Sequence, residues 1–424
     1  MGETAVAAGQ SARAMAGEPL SVRATTCCIV GGGPAGAVLG LLVARQGVEV
    51  TLLEAHRDFD REFRGDTLHP SVLELMDELG LADRLHELAH TKVRRVSFQT
   101  PDGALPFFDF DVLRSRYPYV MLVRQARFLE FITAEASRYP AFHLVMGANV
   151  KRLVERDGAV RGVRYRAHDG WHEVHATLTI ACDGRHSTVR RLAGLEPVGH
   201  TPPIDVLWFH LPRRPGDPTQ PFGRLGHGQF AGILDRGDRW QVAYIIPKGS
   251  YSQLRANGLP ALRRAIAEVL PEFSAHLEEL RDWRQLPLLS VEASRLRRWY
   301  RPGLLLIGDA AHVMTPAGGV GINYAIQDAV VAANVLTRPL LAWQRDSHPI
   351  STRRLRAVQR RRELPTRFIQ AVQRVAQSGI EDGLLGRQVL SPAARRLLRL
   401  PGIRRIVARV IGIGLWRVHI RNLR

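Results

Sequence analysis

Apolar runs and polar punctuation divide the chain into three textures. Cys27-Cys28-Ile29-Val30 is a short continuous apolar run, the pattern of a parallel strand buried on both faces. A glycine-rich turn follows, and Ala37 to Gln46 then predicts an apolar helix stopped by Gly47. Val48 to Leu53 predicts a second strand, closed by Glu54. Residues 71–90 predict one or two amphipathic helices and Leu122–Arg138 another. Val150–Val154, Val163–Arg166 and His175–Ala181 read as sheet. From Thr201 to about Pro287 prolines cluster, and strand patterns at Val206–Leu211, Phe230–Leu234 and Trp240–Ile246 flank the turn Asp235-Arg236-Gly237-Asp238. The α/β texture returns with a strand at Gly303–Gly308 and a long helix from Gly321 to Leu336. Residues 351–424 read as wholly helical. The pattern predicts an α/β domain interrupted by an inserted antiparallel sheet and followed by a helical C-terminal region.

Composition narrows this only slightly. The 424 residues are 45% hydrophobic and 23% charged, which excludes a disordered chain. Three cysteines, Cys27, Cys28 and Cys182, form no C-x-x-C pair and suggest neither a metal site nor a disulfide framework. No apolar run approaches the ~18–20 residues of a membrane-spanning helix. Residues 1–24, rich in Ala, Gly and Ser, read as a loose tail rather than a signal peptide, so the expected compartment is the cytoplasm. Charge changes the picture more. The net charge is +19, and residues 351–424 carry 18 Arg against Glu363, Glu381 and Asp382. Such a tail suits a solvated surface, an anionic membrane face or nucleic acid. No nucleic-acid motif accompanies it, and no nucleic-acid partner is expected.

Three motifs carry the chemistry. The first is Gly31-x-Gly33-Pro34-Ala35-Gly36 between a strand and a helix. There the glycines permit a tight turn, close approach of a pyrophosphate and tight packing of helix on strand. The helix N-terminus faces the phosphates. Glu54, 18 residues beyond Gly36, ends the next strand, where it can accept hydrogen bonds from ribose hydroxyls. This reads as a dinucleotide site, FAD or NAD, against the alternative of a glycine turn without ligand. The second motif is Cys182-Asp183-Gly184-Arg185-His186-Ser187-Thr188-Val189-Arg190, a strand end with an acid and a helix start. The third is Gly308-Asp309-Ala310-Ala311-His312, followed by Pro316, Gly319, Gly321, Ile322 and Asn323. In it Asp309 can bind a polyol hydroxyl, and His312 is expected to be structural.

Together, in this order, the three motifs resemble the FAD-dependent aromatic hydroxylases typified by para-hydroxybenzoate hydroxylase, over residues 25–345. The resemblance implies a Rossmann-like FAD-binding domain, discontinuous over 25–200 and 288–345, with substrate-side segments near 96–121. It implies a substrate-binding sheet domain over 201–287, with 346–424 as a basic helical C-terminal region. It implies that Gly31, Gly33, Pro34, Ala35 and Gly36 cradle the FAD pyrophosphate, with Arg64 nearby, and that Glu54 binds the adenosine ribose and Val150 lies by adenine. Gln125 would sit beside the flavin. Asp183 would belong to a block shared by FAD and NAD(P)H, and Asp309 would bind the ribitol. Pro316, Gly319, Gly321, Ile322 and Asn323 would line the isoalloxazine. NADPH or NADH would reduce FAD, and O2 would form a C4a-hydroperoxide that hydroxylates an aromatic, quinone-like or polyketide-like molecule.

Substrate residues are less legible. His69, His210, Gln229 and Tyr244 are candidates: His69 as a flavin-facing or a packed surface histidine, Tyr244 on either face of its sheet. No catalytic base and no metal ligand is named. A prenyl-chain reductase at membranes, a flavin halogenase and a non-catalytic basic binder are the alternatives. The halogenase would need a catalytic Lys, of which the chain offers only Lys92, Lys151 and Lys248, and W-x-W-x-I-P where this chain has Val242-Ala243-Tyr244-Ile245-Ile246-Pro247. Ile403, Ile406, Val407 and Val410 recur at helical spacing among arginines, with Leu415, Trp416 and Ile420 beyond. Residues 402–420 therefore read either as a helix packed on the body or as a peripheral contact with the inner membrane face.

Overall fold

The computed structural model describes residues 18–60, 66–100, 103–226, 229–384, 396–397 and 400–421. Its frame is a parallel sheet in the order Leu304–Leu306, Trp171–Ala181, Ser21–Val30, Val50–Glu54 and Phe142–Met146. An antiparallel ribbon, Asn149–Arg156 and Ala159–Arg166, extends from the Trp171–Ala181 strand. The first strand starts earlier than its apolar run. Ser21–Ala24 already pair with His172–His175, so the expected tail over 1–24 is too long. These four residues are exposed, so pairing rather than burial holds them, and hydrophobic pattern does not reveal it.

The helix Pro34–Ala44 is buried on all sides from Ala35 onward. That follows from its place between the sheet and two further helices, Gln125–Ala136 and the long Gly321–Asp346. An all-apolar helix is stable only when it is enclosed in this way. Pro34 at the first helical position costs nothing, because the N–H it lacks would have no partner there.

A second sheet stands apart, in the order Leu288–Ser290, Ile204–Pro212, Arg239–Pro247, Gln229–Asp235, Phe222–Gly226, Arg95–Thr100 and Gly103–Asp109. Its last two strands come from the expected substrate-side segment, and Arg95–Thr100 joins through a parallel pairing with Phe222–Gly226. One face packs under the segment 251–286, with Phe209, Trp240, Val242, Ile266 and Phe273 in that core.

The basic C-terminal region closes over the frame. Helix Thr352–Leu384 lies along the long helix, and Pro401–Gly412 docks against Phe110. The expected all-helical tail ends at Gly412. Gly414 takes φ +91°, and the N–H groups of Ile413 and Gly414 both return to the Arg409 carbonyl.

The two long helices are tied by a buried ionic group. Asp328 Oδ2 accepts from His312 Nε2 at 2.6 Å and from the Gly308 N–H at 3.0 Å, while its Oδ1 accepts from Arg362 Nε at 2.6 Å. Burial pushes the Asp328 carboxyl up, but His312 and Arg362 outweigh it and hold it below its usual range. Removing the acid strands a buried guanidinium. Asp328→Ala is therefore expected to cost about 3–5 kcal/mol in urea unfolding at pH 7. Because the folded-state pKa is depressed, this contribution is full at neutral pH and is lost as pH falls below about 4. A loss under about 1 kcal/mol would show that the group carries no structural load.

Candidate active site

The three sequence motifs converge at the carboxyl ends of the parallel strands. Gly31, at φ +103°, passes so close to the second motif that a Cβ there would stand 2.5 Å from the Cys182 carbonyl oxygen. A Cβ on Gly36 would stand 2.0 Å from the Gly31 carbonyl oxygen, which fixes helix against strand. A Cβ on Gly308 would lie 3.5 Å from Ala35 Cβ and 3.2 Å from Ala325 Cβ, which brings the third motif onto the first helix. Arg190 donates to the Ala310 carbonyl at 3.2 Å and so joins the second motif to the third. Gly33 differs from its neighbours. Its φ is −70°, and a Cβ there meets nothing within 4 Å. Space lies open in front of the first helix turn, where a phosphate would approach.

Glu54 is 2% exposed at the end of its strand. Its Oε2 accepts the Gly32 N–H at 2.8 Å, and its Oε1 lies 2.8 Å from His56 Nδ1. Beyond it opens a cleft of about 660 Å³, lined by Arg57, Gly147, Asn149, Lys151 and Arg166 among others. Val150 itself is 4% exposed and packs into the core, so its strand neighbours, not its own side chain, line that cleft. The Asp183 carboxylate accepts from Ser187 Oγ, the N-cap of the short helix Thr188–Leu192, and from the Val189 N–H in its first turn. Burial pushes its carboxyl up. Asp309 is half-buried in the turn after Leu304–Leu306. Arg64 lies outside the described residues.

The loop before the long helix is clamped from beneath. Gly318 and Gly319 take φ +77° and +63°, a left-handed pair that few other residues tolerate. Thr67 Oγ1 donates to the Gly319 carbonyl at 2.8 Å. Asn323 is buried; its Nδ2 donates to the Thr67 and Gly319 carbonyls, and its Oδ1 accepts the His69 N–H. Pro316 is exposed, and Gly321 and Ile322 are half-buried where the helix begins. The positive end of a 26-residue helix therefore points out of this loop.

His69 is packed. Its ring is 1% exposed, with Nδ1 2.8 Å from the Ile411 carbonyl and an edge contact to Phe110. Burial pushes its pKa down to about 4. Gln229 and Tyr244 require correction as substrate residues. They bond to each other at 2.6 Å on the face of the inserted sheet that packs under residues 251–286. Residues 204, 206, 208 and 210 alternate onto the other face, so His210 does stand there. Desolvation and the cations Arg239 and Arg236 lower its pKa.

That other face supplies what sequence reasoning missed. Phe98, Trp208 and Ala243 pack around buried Phe230 and Ile245, and the three remain half-buried, forming an apolar wall outside the helical cover. Gln241 stands on the same face. It accepts from Arg236 Nε at 2.7 Å, Arg236 pairs with Asp66, and Asp66 accepts the Gln125 N–H at 3.1 Å. Burial raises the Asp66 carboxyl and lowers the Arg236 guanidinium. This polar chain joins the wall to the start of helix Gln125–Ala136.

A dinucleotide-type frame with a tight glycine turn, joined through Asp66 and Arg236 to an apolar sheet wall, fits a flavoprotein oxidoreductase. Residues 24–358 match the FAD binding domain family, and the chain belongs to the FAD-dependent aromatic monooxygenases. It is 34% identical over 391 residues to 6-methylpretetramide 4-monooxygenase of Streptomyces rimosus, covering 91% of this chain and 92% of that one. It is 30% identical to the 12-dehydrotetracycline 5-monooxygenase/anhydrotetracycline 6-monooxygenase of Streptomyces rimosus subsp. rimosus, covering 71% of this chain but 60% of that longer one. The structure of OxyS anhydrotetracycline hydroxylase from Streptomyces rimosus shares the fold, with TM-score 0.73 at 23% identity over 92% of this chain and 76% of that one.

The neutral, buried His69 gives a testable pH dependence. Between about 6.5 and about 4 the unfolded imidazole takes a proton that the folded one refuses. Stability therefore falls as pH drops through this window, by up to about 3 kcal/mol from this group. His69→Gln should flatten that part of the profile in urea titrations from pH 7 to pH 4.5. An unchanged slope would show that His69 is not the source.

Proposed function

We propose that this flavoprotein hydroxylates a fused-ring aromatic molecule of polyketide type, using NAD(P)H and O2. The apolar, aromatic wall of Phe98, Trp208, Ala243 and Phe230 carries the substrate assignment, together with the polyketide-type substrates named for the relatives. A flat hydrocarbon skeleton buries its faces against such a wall, and the Gln241–Arg236–Asp66 chain offers hydrogen bonds at one end.

The residues fit FAD. Gly33 leaves room for a pyrophosphate at a helix N-terminus, with Pro34 and Ala35 in the first turn. Glu54 would take the ribose, Asp309 the ribitol, and Pro316 to Asn323 the ring, whose electron-rich edge would meet the positive end of the long helix. Bound FAD would supply the redox chemistry of the overall reaction, in which NAD(P)H provides two electrons, one oxygen atom of O2 enters the substrate and the other leaves as water. The protein's part is geometric. Thr67 and Asn323 hold the ring loop rigid, the sheet wall excludes water, and the polar chain from Gln125 to Gln241 orients the substrate.

The lysines support hydroxylation over halogenation. Lys248 is bonded to Asp205 at 2.8 Å, Lys92 lies over the Tyr119 ring, and Lys151 lines the cleft beyond Glu54. None stands on the sheet wall.

Substrate-stimulated NAD(P)H oxidation across simple phenols and fused-ring polyketides tests the reading. Stimulation by the fused rings is expected, and stimulation by simple phenols alone would reject the substrate class. Trp208→Ala should raise the KM for such a substrate about tenfold, the worth of a lost apolar contact. It should also divert NAD(P)H oxidation toward H2O2. Gly33→Val should leave the melting temperature of the FAD-free protein nearly unchanged while weakening FAD binding at least about tenfold. Equal FAD affinity would place the pyrophosphate elsewhere.

A further inference from the structure

We propose that an arginine-lined cleft at the C-terminal segment is a binding site for a phosphate group carried on a partly apolar ligand. The cleft, about 330 Å³, opens where the turn after the Gly103–Asp109 strand meets the helix Pro401–Gly412. Arg405 and Arg409 project into it from successive turns of that helix, Arg114 from the turn and Arg417 from the segment that follows. Val112, Leu113 and Ile413 form its floor.

Four cations lining one concavity repel one another, and an anion among them would relieve that repulsion. Like charges spaced i, i+4 on a helix, as Arg405 and Arg409 are, repel each other. Acids are close at hand but are used elsewhere. Asp109 and Asp111 pair with Arg94, Arg95 and Arg404, the residue next to Arg405. Among the described residues no carboxylate pairs with Arg114, Arg405 or Arg409, and Arg417 reaches only Glu74, at 3.6 Å. A concave, partly apolar site with this much uncompensated positive charge focuses field on an incoming anion. Guanidinium forks match phosphate oxygens in pairs, and several of them suit a doubly charged phosphate better than a single carboxylate.

Two ligands carry the required chemistry. NAD(P)H bears a pyrophosphate, and the chain has no second Gly-x-Gly-x-x-Gly to receive it. The same helix end also touches the flavin frame, since the Ile411 carbonyl bonds to His69, and a Cβ on Gly412 would lie 3.2 Å from Pro70. A phospholipid headgroup is the other source. Ile406 and Trp416, chain neighbours of Arg405 and Arg417, are 58% and 50% exposed. Only the NAD(P)H source rests on the proposed monooxygenase reading.

The FAD-loaded protein and its Arg405→Ala/Arg409→Ala variant are compared, both residues being exposed on the helix. Equilibrium binding of inorganic pyrophosphate should be salt-sensitive in the wild type and at least about tenfold weaker in the variant. Arg405→Lys/Arg409→Lys should fall between, with charge kept and the fork lost. A raised KM for NADPH at unchanged kcat in the Ala variant would identify the reductant. Lost co-sedimentation with phosphatidylglycerol–phosphatidylcholine vesicles would identify the lipid. Equal pyrophosphate binding in wild type and Ala variant, or none in either, overturns the site. Pyrophosphate and vesicle binding need no turnover, so failure of the hydroxylation reading would leave both results standing.

Discussion

The structure depends on how closely backbones approach at the carboxyl ends of the parallel strands. Gly31 runs against Cys182 with no room for a side chain, and Gly36 runs against Gly31 in the same way. These contacts pull strand, turn and helix tight enough for the helix N-terminus to face the open space in front of Gly33. A β-carbon at either position would push the helix away and widen the cradle before any ligand arrived. The same economy brings Gly308 onto Ala35, so that the third motif lies against the first helix.

A second constraint holds the loop Pro316–Val320 in place. The long helix begins at the loop, so the helix position sets that of the loop. Asp328 fixes that helix through Gly308 and His312 on one side and Arg362 on the other. Helix Thr352–Leu384 is therefore part of the frame. Gln370 and Gln373 on it donate to the carbonyls of Val313, Thr315 and Ala317 along the approach to the loop. The basic C-terminal region thus buttresses this loop from behind, with Arg362 turned inward to Asp328.

Most of this frame was legible because its signals are local. A glycine forced by a close approach, an acid at a strand end and a proline at a helix start each mark themselves within a few residues. The wall was not legible. Val242 to Ile246 are apolar at nearly every position, because one face packs under residues 251–286 and the other carries the apolar wall, so alternation could not tell which face Tyr244 takes. Phe98 joins the wall through pairing of Arg95–Thr100 with Phe222–Gly226, more than a hundred residues away, which no local pattern encodes. Asp328 carries no local signal, because its partners His312 and Arg362 lie 16 and 34 residues away in the chain. The C-terminal stripe was half legible. Ala408 and Gly412 are buried against the body, while Ile406 stays exposed.

The central claim is that this chain uses FAD to insert one atom of molecular oxygen into a fused-ring aromatic substrate. Turnover under oxygen-18 gas in ordinary water, followed by mass spectrometry of the product, tests it most directly. The account predicts one oxygen-18 atom in the product for each NAD(P)H consumed in coupled turnover. A product labelled only from oxygen-18 water, or one reduced without gaining oxygen, would contradict it.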